Sequence, residues 1–236
     1  MKKQLYFLSA FALGALLLAS CKDDDDNENS GVRDLDFNEH AYADLGLPSG
    51  LLWATCNIGA ELSSDYGDYF AWGEVESKES YGWETYGFSN GAEDALTKYC
   101  YDSDFGANGF TDGKKEFDAA DDAASVLWGG DWRTPTYAEL RELYAYCTWT
   151  WSTQNKVNGY VVTGPSGLSI FLPAAGCCSG EVSQYEGIFG TYWTSSLARS
   201  YPCLACGLNF DAQDVSPEYD FYRNVGRPIR AVCGKK

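Results

Sequence analysis

The chain has 236 residues, 45% of them hydrophobic and 16% aromatic, with a formal net charge of −17. That size and apolar content suit one domain that can bury a core without leaning on cross-links. Lys2 and Lys3 are the only charges before Cys21, so the remainder carries 15 basic against 34 acidic residues, about −19. So acidic a surface repels phosphate backbones and anionic lipid headgroups, which argues against nucleic acid as a partner.

The N-terminus reads as an address. Lys2 and Lys3 precede an apolar run, Leu5–Ala19, broken only by Ser9 and Gly14. That run is too short to span a bilayer comfortably and fits a signal peptide over residues 1–20. Leu18-Ala19-Ser20-Cys21 resembles the lipobox of bacterial lipoproteins, which implies cleavage before Cys21 and lipid on its thiol and amine. Several acyl chains together hold a protein firmly to a membrane. Lys22 and the four carboxylates Asp23–Asp26 follow. Like charges in a row repel and stay solvated, so residues 21–40 read as an acidic flexible tether. A Cys-Lys-acidic start is also similar to the surface-export signal of Bacteroidetes lipoproteins, which places the expected domain, residues 41–236, on the outer membrane facing outward.

Tyr42–Leu45 and Leu51–Cys56 read as two short strands joined by a turn at Leu47–Gly50, where Pro48 and Gly50 take turn positions. Ser77–Asn90 and Tyr101–Lys115 are polar, aromatic and glycine-rich, and read as long loops. Asp118–Trp128 has alanines at helical spacing and acids in its first turn, with Gly129 and Gly130 as the stop. Thr136 and Glu139 have the S/T-x-x-E spacing of a capping box. Leu140, Leu143, Tyr144 and Cys147 then form one helical stripe behind them. Gly159–Thr163 and Ser169–Leu172 make a hairpin around Gly164–Gly167. Thr191–Ser196, Leu204–Phe210, Val215–Tyr219 and Gly226–Cys233 read as further strands, with a turn at Asp211–Asp214. Strands and helices segregate along the chain instead of alternating, so the fold class is α+β with short antiparallel strands and two helices.

Several pieces together carry a resemblance. Asp44–Ala60 (DLGLPSGLLWATCNIGA), Tyr66–Glu74, Leu96–Cys100, Asp121–Ala124, Trp128–Glu139, Phe171–Gly176, Tyr192–Ser196 and Gly226–Val232 occur in this order. They resemble the Fibrobacter succinogenes major paralogous domain found in Bacteroidetes lipoproteins. The resemblance spans about residues 43–233 and implies a fold like that of C-type lectins and formylglycine-generating enzymes. It implies no reaction. The calcium-dependent sugar motifs of C-type lectins are absent.

Candidate chemistry is sparse. His40 is the only histidine and falls at the edge of the tether, a poor place for a catalytic triad, which needs a rigidly held imidazole. With one histidine, zinc would need an all-cysteine site, and only one C-x-x-C pair exists, Cys203 and Cys206. That pair lies in an expected strand, away from the helix N-terminus that lowers a thiol pKa. An oxidoreductase similar to formylglycine-generating enzymes and using this pair is one alternative; a structural component of a surface assembly is another. Apart from Cys21, eight cysteines remain, an even number that permits disulfides or buried thiols. Asp118, Asp121 and Asp122 could meet a metal or simply begin a solvated helix. Trp149 and Trp151 fall on the same side of an extended segment and offer a sugar platform, as do Trp83, Tyr81 and Tyr86; core packing is the competing use of such rings. The expectation is therefore a noncatalytic, lipid-anchored binding module for glycan or protein, with no cofactor and no metal.

Overall fold

The computed structural model describes residues 38–235. The expected signal peptide, Cys21 and nearly all of the expected acidic tether lie outside the described residues.

Among the described residues, eleven short strands and two α-helices make up the regular structure, with a few 3-10 turns. β1 (Tyr42–Asp44) pairs antiparallel with β2 (Leu52–Ala54), as the turn at Leu47–Gly50 predicts, and β2 pairs in turn with β11 (Val232–Cys233). β3 (Thr148–Gln154), β4 (Val157–Thr163) and β5 (Ser169–Pro173) form a meander. β6 (Cys177–Ser179) and β7 (Val182–Gln184) form a small hairpin absent from the expected elements. β8 (Gly190–Leu197), β9 (Leu204–Phe210) and β10 (Val215–Tyr222) form a third three-stranded sheet. Every named strand pair is antiparallel.

The expected helix over Asp118–Trp128 is divided. A single 3-10 turn covers Ala119–Asp121, and α1 runs from Ala123 to Trp128. Asp122 is the reason. It leaves helical geometry at φ −102°, ψ 109° and caps α1 by accepting from the Ala124 amide. Its carboxylate is buried and also accepts from the amide and hydroxyl of Thr134 at 2.8 and 2.6 Å. The expectation of a solvated start is corrected: burying that carboxylate ties the helix start to the Thr134 segment.

α2 (Tyr137–Tyr146) starts where the sequence signals it. Thr136 accepts from the Glu139 amide, and Glu139 accepts from the Thr136 amide at 2.8 Å. Leu140 and Leu143 are buried, whereas Tyr144, on the same expected stripe, is exposed. Glu139 also takes a two-pronged bond from Arg133, with Nη1 at 2.7 Å and Nη2 at 2.5 Å. Desolvation pushes the Glu139 carboxyl upward, but the Arg133 and Thr136 bonds outweigh it and hold the group below its ordinary range.

β8 is buried along its whole length. β9 covers one edge. On the other edge its amides reach three separate loops: Trp193 to the Pro228 carbonyl, Ser195 to Pro135 and Leu197 to Lys115, at 3.2, 2.9 and 2.8 Å. Loops thereby do the work of a neighbouring strand along this edge of β8. Gly190 opens β8 because a Cβ there would sit 1.9 Å from the Phe210 ring.

The C-terminal run is a strand only at Val232–Cys233, not over Gly226–Cys233 as expected. Its earlier residues pair one at a time with different partners. Gly226 exchanges bonds with Cys178, and Arg227 with Phe70; the Ile229 and Ala231 carbonyls accept from Ile58 and Ala54. Local alternation is the same in both cases, and only the partner's regularity decides between strand and stitched loop.

Thr136→Ala should lower unfolding stability by about 1 kcal/mol, read from urea denaturation. The Glu139 contribution is present above the ordinary glutamate pKa and is lost as pH falls through the depressed folded value. Melting temperature of the native protein should therefore drop more steeply below about pH 4.5 than that of Glu139→Gln. Parallel curves would refute the assignment.

Candidate functional site

A cleft of about 450 Å³ opens beside the point where the described chain begins. It is lined by Glu39, His40, Thr55, Cys56, Glu61, Leu62 and Trp128, with Ala41 and Ala60 filling in. Four separate stretches supply these residues.

Each wall has a local cause. The first leads into β1 and is pinned to the end of β2 by the Thr55 amide donating to the Ala41 carbonyl at 3.0 Å. The second is the loop after Cys56. Buried Asn57 organises it, donating from Nδ2 to the Tyr66 carbonyl at 2.8 Å and accepting from Arg230 Nε at 2.9 Å. Asp65 closes the turn by accepting from the Leu62 amide at 3.1 Å. The third wall is the end of α1. Asn38 Nδ2 donates to the Trp128 carbonyl at 2.6 Å, and Gly129 terminates the helix at φ 68°.

His40 lies flat on Trp128, with ring centroids 3.9 Å apart and 13° between planes, and meets the edge of Trp132. The expectation of a histidine at a flexible edge is corrected: two indoles fix the ring. Asn38 and Glu39 both hold left-handed backbone, at φ 52° and 61°. Two such residues in succession are costly for side chains with a Cβ and cluster at functional sites. Cys56 donates to the Glu61 carbonyl at 3.5 Å and touches Thr55 Oγ1 at 3.7 Å. Among the described residues, Glu39 and Glu61 are the carboxylates on the cleft, and no Lys or Arg lines it.

The sugar platforms anticipated from the aromatics fall elsewhere and face inward. Trp149 and Trp151 do share a side of β3, but both pack on Tyr160, at 5.8 and 5.1 Å, and Trp151 also meets Phe210. The threonines between and before them take the solvent side. Tyr81 and Tyr86 are core residues, and Trp83 is wedged half-buried between Tyr86 and Tyr222. Tyr86 donates to the Trp72 carbonyl at 2.7 Å and accepts from Arg223 Nε at 2.8 Å. A ring committed on both faces and at its hydroxyl has none left for a sugar.

The thiols point away from redox chemistry. All eight described cysteines are free, and no disulfide occurs among the described residues. Cys203 and Cys206 are buried. Desolvation pushes their thiols up to about 11 and about 12, with the nearby Asp220 carboxylate adding to the shift at Cys206. An activated nucleophile needs the opposite direction.

The acids before α1 are committed as well. Asp118 pairs with Lys114 at 2.5 Å and Lys98 at 3.3 Å, and Asp121 with Lys98 and the Tyr99 hydroxyl. No group of three or more metal-ligating side chains occurs among the described residues. Among the same residues, no helix is long and apolar enough to cross a membrane.

No protein-family profile, curated protein or solved structure matches this chain. The cleft itself has no sequence signature. Residues 39, 56, 61 and 128 share no spacing, and only the lone histidine drew notice.

Exposure sets an order of thiol reactivity. Brief iodoacetamide treatment of the native protein, followed by peptide mapping, should label half-exposed Cys56 and spare Cys203 and Cys206. Equal labelling of all three without denaturant would contradict their burial.

Proposed function

We propose that this protein is a lipid-anchored envelope protein whose folded part binds a ligand, a glycan or a protein segment, and performs no chemistry on it. The cleft carries this reading. Its volume, about 450 Å³, lies in the range of ligand sites, roughly 300–1,000 Å³. Its lining mixes carboxylates, a hydroxyl, an imidazole and an indole, which gives hydrogen bonding and apolar contact together. The rigid stacking of His40 on Trp128 and the left-handed backbone at Asn38 and Glu39 are the kind of preorganisation that favours binding.

The leader, the lipobox-like Leu18–Cys21 and the acidic stretch behind it support attachment at Cys21 to the outer membrane, with the folded part facing outward. The ordered succession of eight family-like segments supports membership of the Fibrobacter succinogenes major paralogous domain and a C-type-lectin-like fold. Antiparallel short sheets with two helices agree with that fold at the level of class.

Lipidation is tested by metabolic labelling with an alkyne fatty acid. The native chain should incorporate it and Cys21→Ser should not; label persisting in the variant would refute the anchor. Protease added to intact cells should remove the folded part, and protection until the outer membrane is opened would place it inside. Binding is tested by probing glycan and peptide arrays with the full chain. A hit that disappears in Glu61→Gln is expected, and a hit unaffected by every cleft substitution would move the site elsewhere.

A further inference from the structure

One buried cation, away from the cleft, lacks the acceptors that its neighbours in sequence have. Arg223 and Arg230 each bond through Nε and both terminal nitrogens. Arg227 is only 6% exposed, yet its Nε has no acceptor and its Nη1 reaches the Tyr222 carbonyl at a long 3.5 Å. It belongs to no ion pair among the described residues. The group set opposite it is a thiol. Cys178 and Gly226 exchange backbone bonds at 2.8 and 2.9 Å as an antiparallel pair, which places Cys177 across from Arg227 one step along. Pro228 has no N–H, so the pairing stops there. Alternation turns Cys178 to the other face, where it packs with Tyr81, while Arg227 lies against Phe221 and Trp193. Burial pushes the partly exposed Cys177 thiol up, and the Arg227 guanidinium pulls it back.

We propose that Cys177 is a site of oxidative modification, whose sulfinate supplies the anion that Arg227 lacks. Hydrogen peroxide is the co-reactant. The sulfur attacks one peroxide oxygen, the O–O bond breaks, and water leaves with the other oxygen, giving a sulfenic acid; a second peroxide adds a second oxygen in the same way. Two peroxides are reduced to water, the sulfur loses four electrons, and the sulfinic proton passes to solvent. Cys178, the adjacent thiol, faces away and is badly placed to divert the sulfenic acid into a disulfide. The new anion meets a desolvated guanidinium with an open donor, where a charge-assisted bond is strongest. The other partly exposed thiols lack this partner. Cys147 and Cys178 have the carboxylates of Glu142 and Glu186 as neighbours, which would repel a sulfinate. Cys56 is within reach of Arg230, whose donors are already spent on Asn57, Ala54 and Phe171.

The full chain is treated with hydrogen peroxide, quenched, denatured, alkylated and peptide-mapped. Cys177 should be two oxygens heavier, and Cys178 should be recovered alkylated. Oxidation should raise the melting temperature of the native chain by a few degrees. It should lower that of Arg227→Met, where the sulfinate has no cation to meet, and Cys177→Ser should abolish the rise. Charge alone is tested without peroxide: Cys177→Asp should melt above Cys177→Asn at neutral pH. If Arg227→Met does not fold, that pair of variants still decides. An unmodified Cys177, a lower melting temperature of the native chain after oxidation, or an aspartate variant no more stable than its asparagine counterpart overturns the inference. None of these outcomes bears on the binding function, which the arrays judge separately.

Discussion

Three buried guanidinium groups hold this fold together, and none of them is paired with a carboxylate among the described residues. Arg223, Arg227 and Arg230 lie within eight residues of one another, and each is at most 6% exposed. Taking a cation out of water is costly unless every donor and the charge itself find partners. Arg223 finds them in the Tyr86 hydroxyl and the Lys98, Tyr99 and Pro202 carbonyls, with the Trp72 ring 4.8 Å below. Arg230 uses Asn57 and two carbonyls. Arg227 relies chiefly on ring faces, 3.8 Å from Phe221 and 4.7 Å from Trp193. Its Nε has no acceptor, and desolvation pulls the group down to about 9. Planar, weakly hydrated guanidinium tolerates such surroundings where an ammonium would not.

This arrangement explains how a chain with so little regular structure holds a defined shape. Carbonyls in a loop have no ladder partner, and a buried five-donor fork can satisfy several at once. Arg223 therefore joins the segments around Lys98 and Pro202, and Arg230 joins β2 to β5. The backbone between these arginines stitches the Phe70, Ile58 and Cys178 regions in the same way. Indoles complete the pattern. Trp72 and Trp193 donate to the Thr194 and Phe70 carbonyls, at 2.8 Å each, while their faces carry the cations. Aromatic abundance serves the interior first, which is why the tryptophans that looked like a sugar platform turned inward.

The cleft depends on this frame at one remove. Asn57, held by Arg230, anchors the loop whose Glu61 and Leu62 line the cleft. Asn38 holds the end of α1, so that Trp128 can receive His40. A site assembled from separately anchored loops is rigid without belonging to any sheet or long helix. That suits recognition. Cys203 and Cys206 lie outside this cleft, and burial raises their thiol pKa.

Elements coded by neighbours along the chain were legible from the sequence. The Thr136–Glu139 box, the turn at Leu47–Gly50, the Gly164–Gly167 hairpin and the alternation of β9 and β10 each need only a few adjacent residues. Segregated strands and helices likewise announced an antiparallel α+β class. The sequence also contains the whole case for a leader and a lipidated Cys21. Tertiary structure alone decided the rest. It split the helix at Asp122, because Thr134 lies close enough to bury that carboxylate. It reduced Gly226–Cys233 to two strand residues, because the partners there are loops. It brought Glu39, His40, Cys56, Glu61 and Trp128 around one cavity. Such contacts join residues many tens of positions apart, and a local pattern carries no information about which distant carbonyl or ring will meet a given side chain.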